Sequence, residues 1–402
     1  MSSWTTCRLG DICRFQAGSA FPKKYQGMTQ GEIPFIKVSD MSYNANLVYI
    51  VSSTNWISKE LQLKIKAKTI PEGAVVFAKI GEAVKAERYR IITRPTCIDN
   101  NMMAAIATNV HQRYFRYLLE TVHLSSFIEG SALPYLRQAD LLKIEVSIPS
   151  LSEQRGIAAT LGALDDKIES NRRTLNILFE LTNEIAKKML SENELKVHEL
   201  GELVAFNKSS IKTGQFAEID YIDIKSVGQG NIESMIHYRF ADAPSRARRM
   251  LHDGDVIYST VRPERQAFSP IFMPEPNLIV STGFAVMSPK EKIGTSFLTY
   301  IAGSESFAKY LASAASGSAY PAVSVSAMGK YRVSLPANTT ILDLYEQMTL
   351  PMRRLGAQLL KESQQVESLR DALLPELVSG RIRVPEAQEA IDEVIPVGGE
   401  NV

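Results

Sequence analysis

The chain has 402 residues, of which 45% are hydrophobic and 22% are charged, a balance that excludes a chain disordered throughout. Its formal net charge of +1 hides an uneven distribution. Residues 1–150 hold 18 Lys and Arg against 12 Asp and Glu, whereas residues 339–402 hold 6 against 11. A polyanion would therefore bind the first region more readily than the last.

The length allows two or three domains of ordinary size. No apolar run approaches the roughly 20 residues that span a bilayer, and the start MSSWTTCRLGD lacks the apolar stretch of a signal peptide. We therefore expect a cytoplasmic protein. The three cysteines, Cys7, Cys13 and Cys97, have neither disulfide-framework nor zinc-knuckle spacing, so we expect reduced, mostly buried thiols.

Residues 1–150 are predicted to form the first globular domain, a mixed α/β body. The stretches RLGDICRF (8–15), IPFIKVSD (33–40) and PEGAVVFAKI (71–80) have the alternating apolar pattern of half-buried strands. A turn spelled GSALP follows at 130–134, and the last strand ends in Pro149.

Residues 151–196 are predicted to form a long helix with a coiled-coil seam. Ser150 with Glu153 supplies the S-x-x-E pattern of a capping box. Polar Asn171 and Thr182 fall on seam positions, where they would weaken the pairing but fix its register. The apolar seam positions are Leu161, Leu164, Ile168, Leu175 and Leu178.

Residues 197–338 repeat the first domain. The segment 130–149 aligns without a gap to 317–336, GSAYPAVSVSAMGKYRVSLP, with eight of twenty positions identical. Looser matches precede it, including ELGELVAF (199–206), IDYIDIKS (219–226) and HDGDVIYSTV (252–261). We therefore predict a second globular domain of the same fold.

Residues 339–382 are predicted to form a second long helix, beginning at Thr340 with Asp343, interrupted at Pro351 and ending near Pro375. The acidic tail, residues 383–402, is predicted to be disordered. The apolar seam also includes Met348 and Met352, and the seam positions on which we rely are Leu355, Leu359, Val366, Leu369 and Leu373.

Together these elements predict an α+β fold with two mixed α/β domains joined by two long helices and related by a pseudo-two-fold repeat. Two isolated amphipathic helices would leave their apolar stripes in water, so we expect an antiparallel coiled coil. About 35 helical residues would make a spacer of roughly 50 Å, with a domain at each end.

The motifs of common enzymes are missing from the sequence. It contains no GxxxxGK[ST] phosphate loop, no G-x-S-x-G nucleophile elbow and no paired histidines of a zinc site. The Gly-rich cofactor loop and Asn-Pro-Pro-aromatic tetrad of an adenine methyltransferase are also absent. We therefore expect no catalytic residues, no metal and no cofactor in this chain, and any catalysis to belong to a partner.

A pair of domains on a spacer suits the reading of two DNA half-sites, and several stretches have the Lys, Arg, Asn and Ser/Thr content of DNA readers. Five arginines lie within residues 246–265. A solvated charged surface is the alternative interpretation. The predicted contacts are Lys23, Lys24, Lys37, Ser39, Lys79, Arg88, Arg90, Asn100 and Asn101 in the first domain, and Lys225, Arg246, Arg248, Arg249, Ser259, Thr260, Arg262, Arg265 and Tyr320 in the second.

The GSALP and GSAYP turns allow two interpretations. Gly and Pro shape a loop before the last strand, which is a purely structural role. The variable residues beside them, Leu133, Tyr135 and Arg137 or Tyr320 and Ser324, would alternatively reach DNA.

The chain resembles the specificity subunit of type I restriction-modification systems over about residues 5–385. The resemblance rests on PSLSEQRGIAATLGALDDKIESNRR in the first helix, LRDALLPELVSGRIRV at the end of the second, and the duplicated strand motifs. It implies that each globular domain is a target recognition domain for one half of a split site on double-stranded DNA. It also implies that the helices set the gap between the half-sites.

The resemblance further implies partners. Two methyltransferase subunits would bind the helices, carry S-adenosylmethionine and methylate adenine at N6, and a restriction subunit would add translocation with ATP and Mg²⁺. Two other interpretations stay open from the residues alone. One is a scaffold whose coiled coil joins two protein-binding adaptor domains, and the other is a self-contained methyltransferase.

Overall fold

The computed structural model describes residues 4–43, 46–130, 134–317 and 321–394. The chain divides into two compact units, unit 1 with residues 1–170 and 363–402 and unit 2 with residues 171–362. Each unit joins a mixed α/β body to one segment of each of two 41-residue helices, α5 (Leu151–Ser191) and α10 (Thr339–Ser379). The predicted α+β fold with two long helices is confirmed. Among the described residues, no helix has both the length and the apolar character to cross a bilayer.

Unit 1 has eleven strands among its described residues. The short helices of its body are α1 (Leu9–Ile12), α2 (Lys59–Lys64), α3 (Gln112–Val122) and α4 (Gln138–Leu141). The strands are β1 (Thr5–Arg8), β2 (Cys13–Ala17), β3 (Ile33–Ile36), β4 (Tyr49–Ile50), β5 (Trp56–Ile57), β6 (Thr69–Ile70), β7 (Val75–Ala78), β8 (Arg90–Ile92), β9 (Thr96–Ile98), β10 (Met102–Ala107) and β11 (Glu145–Ile148).

Unit 2 has a similar order of elements, without counterparts of β4 and α2 and with two helices where unit 1 has α3. Its body has the helices α6 (Leu200–Leu203), α7 (Thr295–Ala302), α8 (Glu305–Ala314) and α9 (Val325–Gly329). Its described strands are β12 (Leu195–Glu199), β13 (Val204–Phe206), β14 (Glu218–Ile222), β15 (Ile236–Arg239), β16 (Ala247–Met250), β17 (Val256–Ser259), β18 (Phe268–Pro270), β19 (Leu278–Ser281), β20 (Phe284–Pro289) and β21 (Arg332–Pro336).

The sheets of the two units correspond. In each, the first and last strands form a two-stranded antiparallel ribbon, β1 with β11 and β12 with β21. A larger sheet has the order β2-β10-β7-β8-β4 in unit 1 and β13-β20-β17-β18 in unit 2. A second sheet has the order β5-β3-β9-β6 in unit 1 and β15-β14-β19-β16 in unit 2. The repeat in the sequence is therefore a repeat of topology.

The central strands β7 and β17 are buried on both faces, not half-buried as their patterns predicted. In unit 1, Val75 and Phe77 face an apolar cluster that includes helix α3, while Val76 faces a second cluster. In unit 2, Val256 and Tyr258 likewise face one apolar cluster, and Ile257 faces another. Each larger sheet is covered by helices on one side and by the second sheet's cluster on the other, so its central strand lacks a solvent face.

In unit 1, the start of α5 packs antiparallel to the end of α10. Three predicted seam residues of α5, Leu161, Leu164 and Ile168, are buried in the same cluster as Val366 and Leu373 of α10. The direction follows from two ion pairs, Asp165 with Arg370 at 3.0 Å and Glu153 with Arg383.

In unit 2, the end of α5 packs antiparallel to the start of α10. Asn171 donates to Glu362 at 2.8 Å, and Tyr345 donates to the carbonyl of Thr182 at 3.3 Å. The predicted burial of Asn171 and Thr182 in the seam is confirmed, because their side chains are 3% and 1% exposed. Leu175, Leu178 and Leu359 are half-buried, as is Leu369 of unit 1.

The predicted seam position Leu355 is wrong, since this side chain is 43% exposed and Met348 is 55% exposed. Tyr345, Thr349 and Gly356 face α5 instead, with Gly356 beside Leu175. The prediction failed because α10 has two neighbouring stripes. Thr349 and Gly356 lie in the seam, and the apolar residues that precede them, Met348 and Leu355, form an exposed stripe.

The helix limits follow local capping and tertiary packing. Ser150 accepts a hydrogen bond from the Glu153 N–H at 3.3 Å, as its sequence predicted. Helix α10 begins at Thr339 with Asn338 capping it, and it continues through Pro351 and Pro375 to Ser379. A proline inside a helix costs about 3 kcal/mol, so the predicted interruption was reasonable. Burial of Thr349 and Arg353 around Pro351, and of Leu377 and Val378 beyond Pro375, offsets that cost.

The acidic tail was expected to be disordered, but its first part forms helix α11 (Val384–Val394). Ala387 is fully buried, and Val384 lies against Gly156 of α5. The composition of the tail is acidic overall, yet Ile382, Val384, Ala387 and Ile391 provide an apolar face that packs on the unit 1 core. Residues 395–402 lie outside the described part.

Candidate nucleic-acid interface

The loops that follow β7 and β17 form the same hydrogen-bonded turn in the two units, which we call the cradle. In unit 1 the cradle comprises residues 79–81, 129 and 134–136. The Gly81 N–H donates to the Pro134 carbonyl at 2.8 Å, and the Leu136 N–H donates to the Lys79 carbonyl at 2.9 Å. Glu129 and Tyr135 exchange two backbone hydrogen bonds at 3.0 and 2.9 Å.

In unit 2 the cradle comprises residues 260–262, 316 and 321–323. The Arg262 N–H donates to the Pro321 carbonyl at 2.8 Å, and the Val323 N–H donates to the Thr260 carbonyl at 2.9 Å. Ser316 and Ala322 exchange two backbone bonds at 2.9 Å each. The carbonyls of Pro134 and Pro321 therefore close the two cradles. Gly130 and Gly317 have φ of +82° and +100°, the left-handed region that favours glycine. Residues 131–133 and 318–320, with the predicted contact Tyr320, lie outside the described residues.

Several predicted contacts of unit 1 surround its cradle. The Lys79 N–H donates to the Asn101 carbonyl at 2.8 Å, and the Asn101 N–H donates to the Asp99 carboxylate at 2.8 Å. Asn100 and Asn101 are exposed and Lys79 is half-buried. Burial lowers the pKa of the Lys79 ammonium, against the opposing charge of Asp99. A half-buried, charged Lys79 with two exposed amides nearby provides the donors that contact nucleic acid.

The strand β3 brings a further pair to the same edge. The Asp99 N–H donates to the Ile36 carbonyl at 2.8 Å, so the residues after Ile36 lie next to the loop of Asn100. Here Lys37 is half-buried and donates to the Gln26 side chain at 2.9 Å, while Ser39 is exposed.

The remaining predicted contacts of unit 1 differ in exposure. Lys23 and Lys24 are exposed on a short 3-10 turn, with Lys24 4.9 Å from the Tyr25 ring. Arg88 is exposed and donates to Ser42 at 3.0 Å. Arg90 is half-buried and donates to the carbonyls of Asn46 and Tyr89 at 2.6 and 3.1 Å. We correct the assignment of Arg90 from DNA contact to a brace for the loop around residue 46.

In unit 2, the predicted contacts Arg246, Thr260 and Lys225 lie close to one another at the cradle. The Thr282 N–H donates to the Arg246 carbonyl at 2.9 Å, and Thr260 donates to the Gly283 carbonyl through both its N–H and its hydroxyl at 2.8 Å. Gly283 also lies against the side chain of Ile224, which leaves no room for a Cβ at Gly283. Lys225, the residue that follows Ile224 in the chain, is therefore close to the same loop. Arg246, Lys225 and Arg265 are exposed, and Thr260 and Arg262 are half-buried.

Three predictions in unit 2 need correction. Ser259 is 1% exposed, and its hydroxyl donates to the Val261 carbonyl at 2.8 Å, so it shapes the turn and has no path to DNA. Arg248 is half-buried over the Phe240 ring and donates to the Ala247 carbonyl. Arg249 is half-buried next to the Thr282 carbonyl, and burial lowers its pKa. We therefore assign all three residues to the structure of the strand ends. The basic composition of this stretch did not separate them from the exposed Arg246 and Arg265.

A second surface was missed from the sequence. On the unit 2 helix pair, Ile177 and Leu181 of α5 and Leu344, Met348 and Leu355 of α10 are between 43% and 62% exposed. On each helix these residues form one stripe. Viewed along each helix from its N-terminus, the stripe is rotated away from the seam in the same direction in α5 and in α10. Because the helices are antiparallel, both stripes lie on one face of the pair, which we call the apolar face. The signal in the sequence is the pair of apolar stripes in α10, which the spacing of threes and fours merges into a single seam.

A buried charge cluster in unit 1 was also missed. Asp165 on α5 bonds Arg116 and Tyr117 of α3 and Arg370 of α10. The sequence signals this cluster by charged residues within apolar stretches, Asp165 after Leu164 in α5 and Arg116 between Phe115 and Tyr117 in α3. Among the described residues, no group of three or more His, Cys, Asp or Glu side chains has the geometry of a metal site.

Comparison with known proteins agrees with this architecture. Residues 1–179 match the family model of the type I restriction modification DNA specificity domain. The MjaVIII specificity subunit of Methanocaldococcus jannaschii is 21% identical over 413 aligned residues, covering 95% of this chain and 93% of that protein. The MjaIX specificity subunit of the same organism is 26% identical, and the match covers 49% of this chain and 45% of that protein.

Two further similarities concern a bacterial relative and a solved fold. The EcoDI specificity subunit of Escherichia coli is 28% identical over 33% of this chain and 39% of its own length. The crystal structure of a type I restriction-modification S subunit from M. genitalium has a TM-score of 0.63 at 15% identity. That structural match covers 94% of this chain and 96% of the other.

Proposed function

Because residues 1–179 match the type I specificity domain and the chain is similar to specificity subunits over most of its length, we propose that it is such a subunit and directs its complex to a bipartite DNA sequence. Each unit reads one half of the target. The observation that supports this most directly is the duplicated cradle, which has the same backbone hydrogen bonds in both units and different side chains. A constant backbone with variable side chains suits a reader whose two halves recognise different bases.

In this proposal the exposed side chains make two kinds of contact with DNA. Lysines and arginines at the rim, such as Lys24, Arg88, Arg246 and Arg265, contact phosphates and supply affinity that falls with salt. Side chains at the cradles and the neighbouring strand ends, such as Asn101, Thr260 and Arg262, reach base edges and supply specificity.

In this proposal the helices α5 and α10 set the gap between the half-sites. Each is 41 residues long, or about 60 Å at 1.5 Å per residue. Polar seam pairs such as Asn171 with Glu362 fix the register of the antiparallel pairing, because a shift by one turn would leave a buried polar group without its partner.

Catalysis belongs to partner subunits in this proposal, and this chain is not an enzyme. Two methyltransferase subunits bind S-adenosylmethionine and methylate adenine N6, and a restriction subunit uses ATP and Mg²⁺ for translocation and cleavage. The apolar face of Ile177, Leu181, Leu344, Met348 and Leu355 supports docking of a methyltransferase subunit, since a contiguous exposed apolar surface marks an interaction site. The complex acts on DNA in the cytoplasm.

DNA binding by this chain also assists the chemistry of its partners. A methyltransferase must turn its adenine out of the base stack, which costs a few kcal/mol. Phosphate contacts by both units hold and bend the duplex, and their free energy offsets part of that cost.

The test is methylation by the assembled complex. The chain is purified with its methyltransferase subunits, and transfer of labelled methyl groups from S-adenosylmethionine to a DNA library is measured and mapped. We expect methylated adenine within one bipartite sequence, and no transfer when either the chain or the partner is left out. Transfer by the chain alone would instead support a self-contained methyltransferase.

The scaffold alternative is tested with the same preparation. A pair of protein-binding adaptor domains would bind duplex DNA no better than a neutral protein does. Retention on duplex DNA that decreases steeply between about 50 and 200 mM salt supports the specificity subunit, and no retention at either salt supports the scaffold.

A further inference from the structure

The two cradles differ in which of their two sides has an arginine. One side is the loop that follows β7 or β17, and the other is the pair of segments hydrogen-bonded to it. On the side that follows β7 or β17, unit 1 has Gly81 and unit 2 has Arg262, both with the same backbone hydrogen bond to a proline carbonyl. Gly81 has φ of +81°, and a Cβ there would have open space within 4 Å. Arg262 has φ of +50° and ψ of +56°, the left-handed region that favours glycine.

The opposite wall of the cradle shows the reverse arrangement. In unit 1 it holds Glu129 and Tyr135, and Arg137 contacts both of them from just outside the cradle. The Arg137 guanidinium lies 2.7 Å from Glu129 and donates to the Tyr135 hydroxyl at 2.7 Å, with the Arg137 side chain 56% exposed. In unit 2 the corresponding positions are Ser316, Ala322 and Ser324, which have no long side chain.

The backbone at Arg262 is unfavourable for two independent reasons. A residue with a Cβ is strained in the left-handed region. Arg262 also precedes Pro263, and a residue before proline favours an extended conformation. The fold itself does not require an arginine, because unit 1 forms the same turn with Gly81. A function for the side chain would explain why the strained residue is kept.

Building on the proposed function, we propose that one guanidinium at each cradle reads a base, Arg137 in unit 1 and Arg262 in unit 2. The two reach the cradle from opposite walls, so each unit presents one of these guanidinium groups there. A guanidinium pairs with the O6 and N7 acceptors of guanine in the major groove. Each half-site therefore contains a guanine that depends on one of these residues. In unit 1, Glu129 and Tyr135 hold the guanidinium in position.

The test uses the whole complex in a host, with the methylated motif read by sequencing. Arg262→Gly removes the side chain and relieves the strain, so the chain's melting temperature should stay equal or rise. One guanine position in one half-site should become unspecified, with methylation of the original site falling roughly 5- to 150-fold. Arg137→Ala should affect only the other half-site.

Gln266→Gly is the matched control. Gln266 has φ of +53° in the same loop, so this change also relieves left-handed strain, and the motif should stay unchanged. A wild-type motif in the Arg262→Gly complex would overturn the inference while leaving the proposed function intact. Loss of both half-sites together with a lower melting temperature would overturn it as well, since Arg262 would then be structural. A wild-type complex without any bipartite motif would refute the proposed function itself.

Discussion

The carboxylate of Asp165 lies 2.9 Å from the guanidinium of Arg116, and the two side chains are 0% and 3% exposed. Asp165 also accepts a hydrogen bond from Tyr117 at 2.6 Å and one from Arg370 at 3.0 Å. One buried carboxylate therefore joins helix α3 of the unit 1 body to α5 and to α10. This cluster fixes the body of unit 1 on its own segment of the helix pair.

Replacing Asp165 by alanine should strongly destabilise the chain. The change leaves the Arg116 guanidinium buried next to Arg370 without its central partner, and breaking a buried pair in this way costs about 3–5 kcal/mol. Urea unfolding, followed by circular dichroism, measures the loss. The control is Asp166→Ala, because the neighbouring Asp166 is 61% exposed and its pair with Arg113 contributes little. Equal losses in the two variants would contradict the assignment.

The same cluster predicts a pH dependence of stability. Burial alone would raise the pKa of Asp165, but the charges of Arg116 and Arg370 outweigh it and hold that pKa below its usual value. A depressed folded-state pKa stabilises the protein above the unfolded value of about 3.9, and this contribution is lost as the pH falls through the folded value. The difference in unfolding free energy between wild type and Asp165→Asn should therefore shrink below about pH 4. A difference that stays constant down to pH 2 would contradict the prediction.

Substitutions on the apolar face should weaken assembly with the methyltransferase subunits without destabilising the chain itself. Met348→Glu places a charge on a side chain that is 55% exposed, so unfolding of the chain alone should change little while assembly with the methyltransferase subunits weakens. Tyr345→Ala, three residues away, removes a side chain that is 2% exposed, and this should destabilise the chain by about 3–5 kcal/mol. Size-exclusion chromatography and urea titration measure the two effects. Normal assembly of Met348→Glu would remove this face from the proposal.

The exposed rim predicts a change in salt dependence. Arg265 is exposed in the loop after β17, and as a phosphate contact it releases counterions on binding. Arg265→Ala should weaken binding to every duplex by a similar factor and lower the slope of log affinity against log salt by about 1. Arg248→Ala serves for comparison, because Arg248 is stacked on Phe240, and its loss should leave the slope unchanged. A change of sequence preference in Arg265→Ala would show a base contact instead.

The sequence predicted the architecture because the determining patterns are local or repeated. The capping pair Ser150 and Glu153, the polar seam residues Asn171 and Thr182, and the duplicated prolines Pro134 and Pro321 all have the positions expected from their spacing. These features depend on helical period, capping chemistry and turn geometry, which act over a few residues.

The predictions that failed depend on contacts between distant segments. Leu355 lies outside the seam because its neighbour Gly356 is the residue that packs beside Leu175 of helix α5. Ser259 and Arg90 have the residue types of a DNA reader, but Ser259 is buried, Arg90 is half-buried, and both side chains donate to backbone carbonyls. The order of α11 depends on the core that it covers, which the composition of an acidic tail does not show.

The central claim is that two equivalent units read two parts of one DNA sequence. The most direct measurement is the map of methylated adenines in the host genome, with the gene present and with the gene deleted. We predict one motif of two short defined blocks, separated by a gap of constant length and undefined sequence, and its complete loss on deletion. An unchanged methylation map, or the loss of a single contiguous block, would contradict the claim.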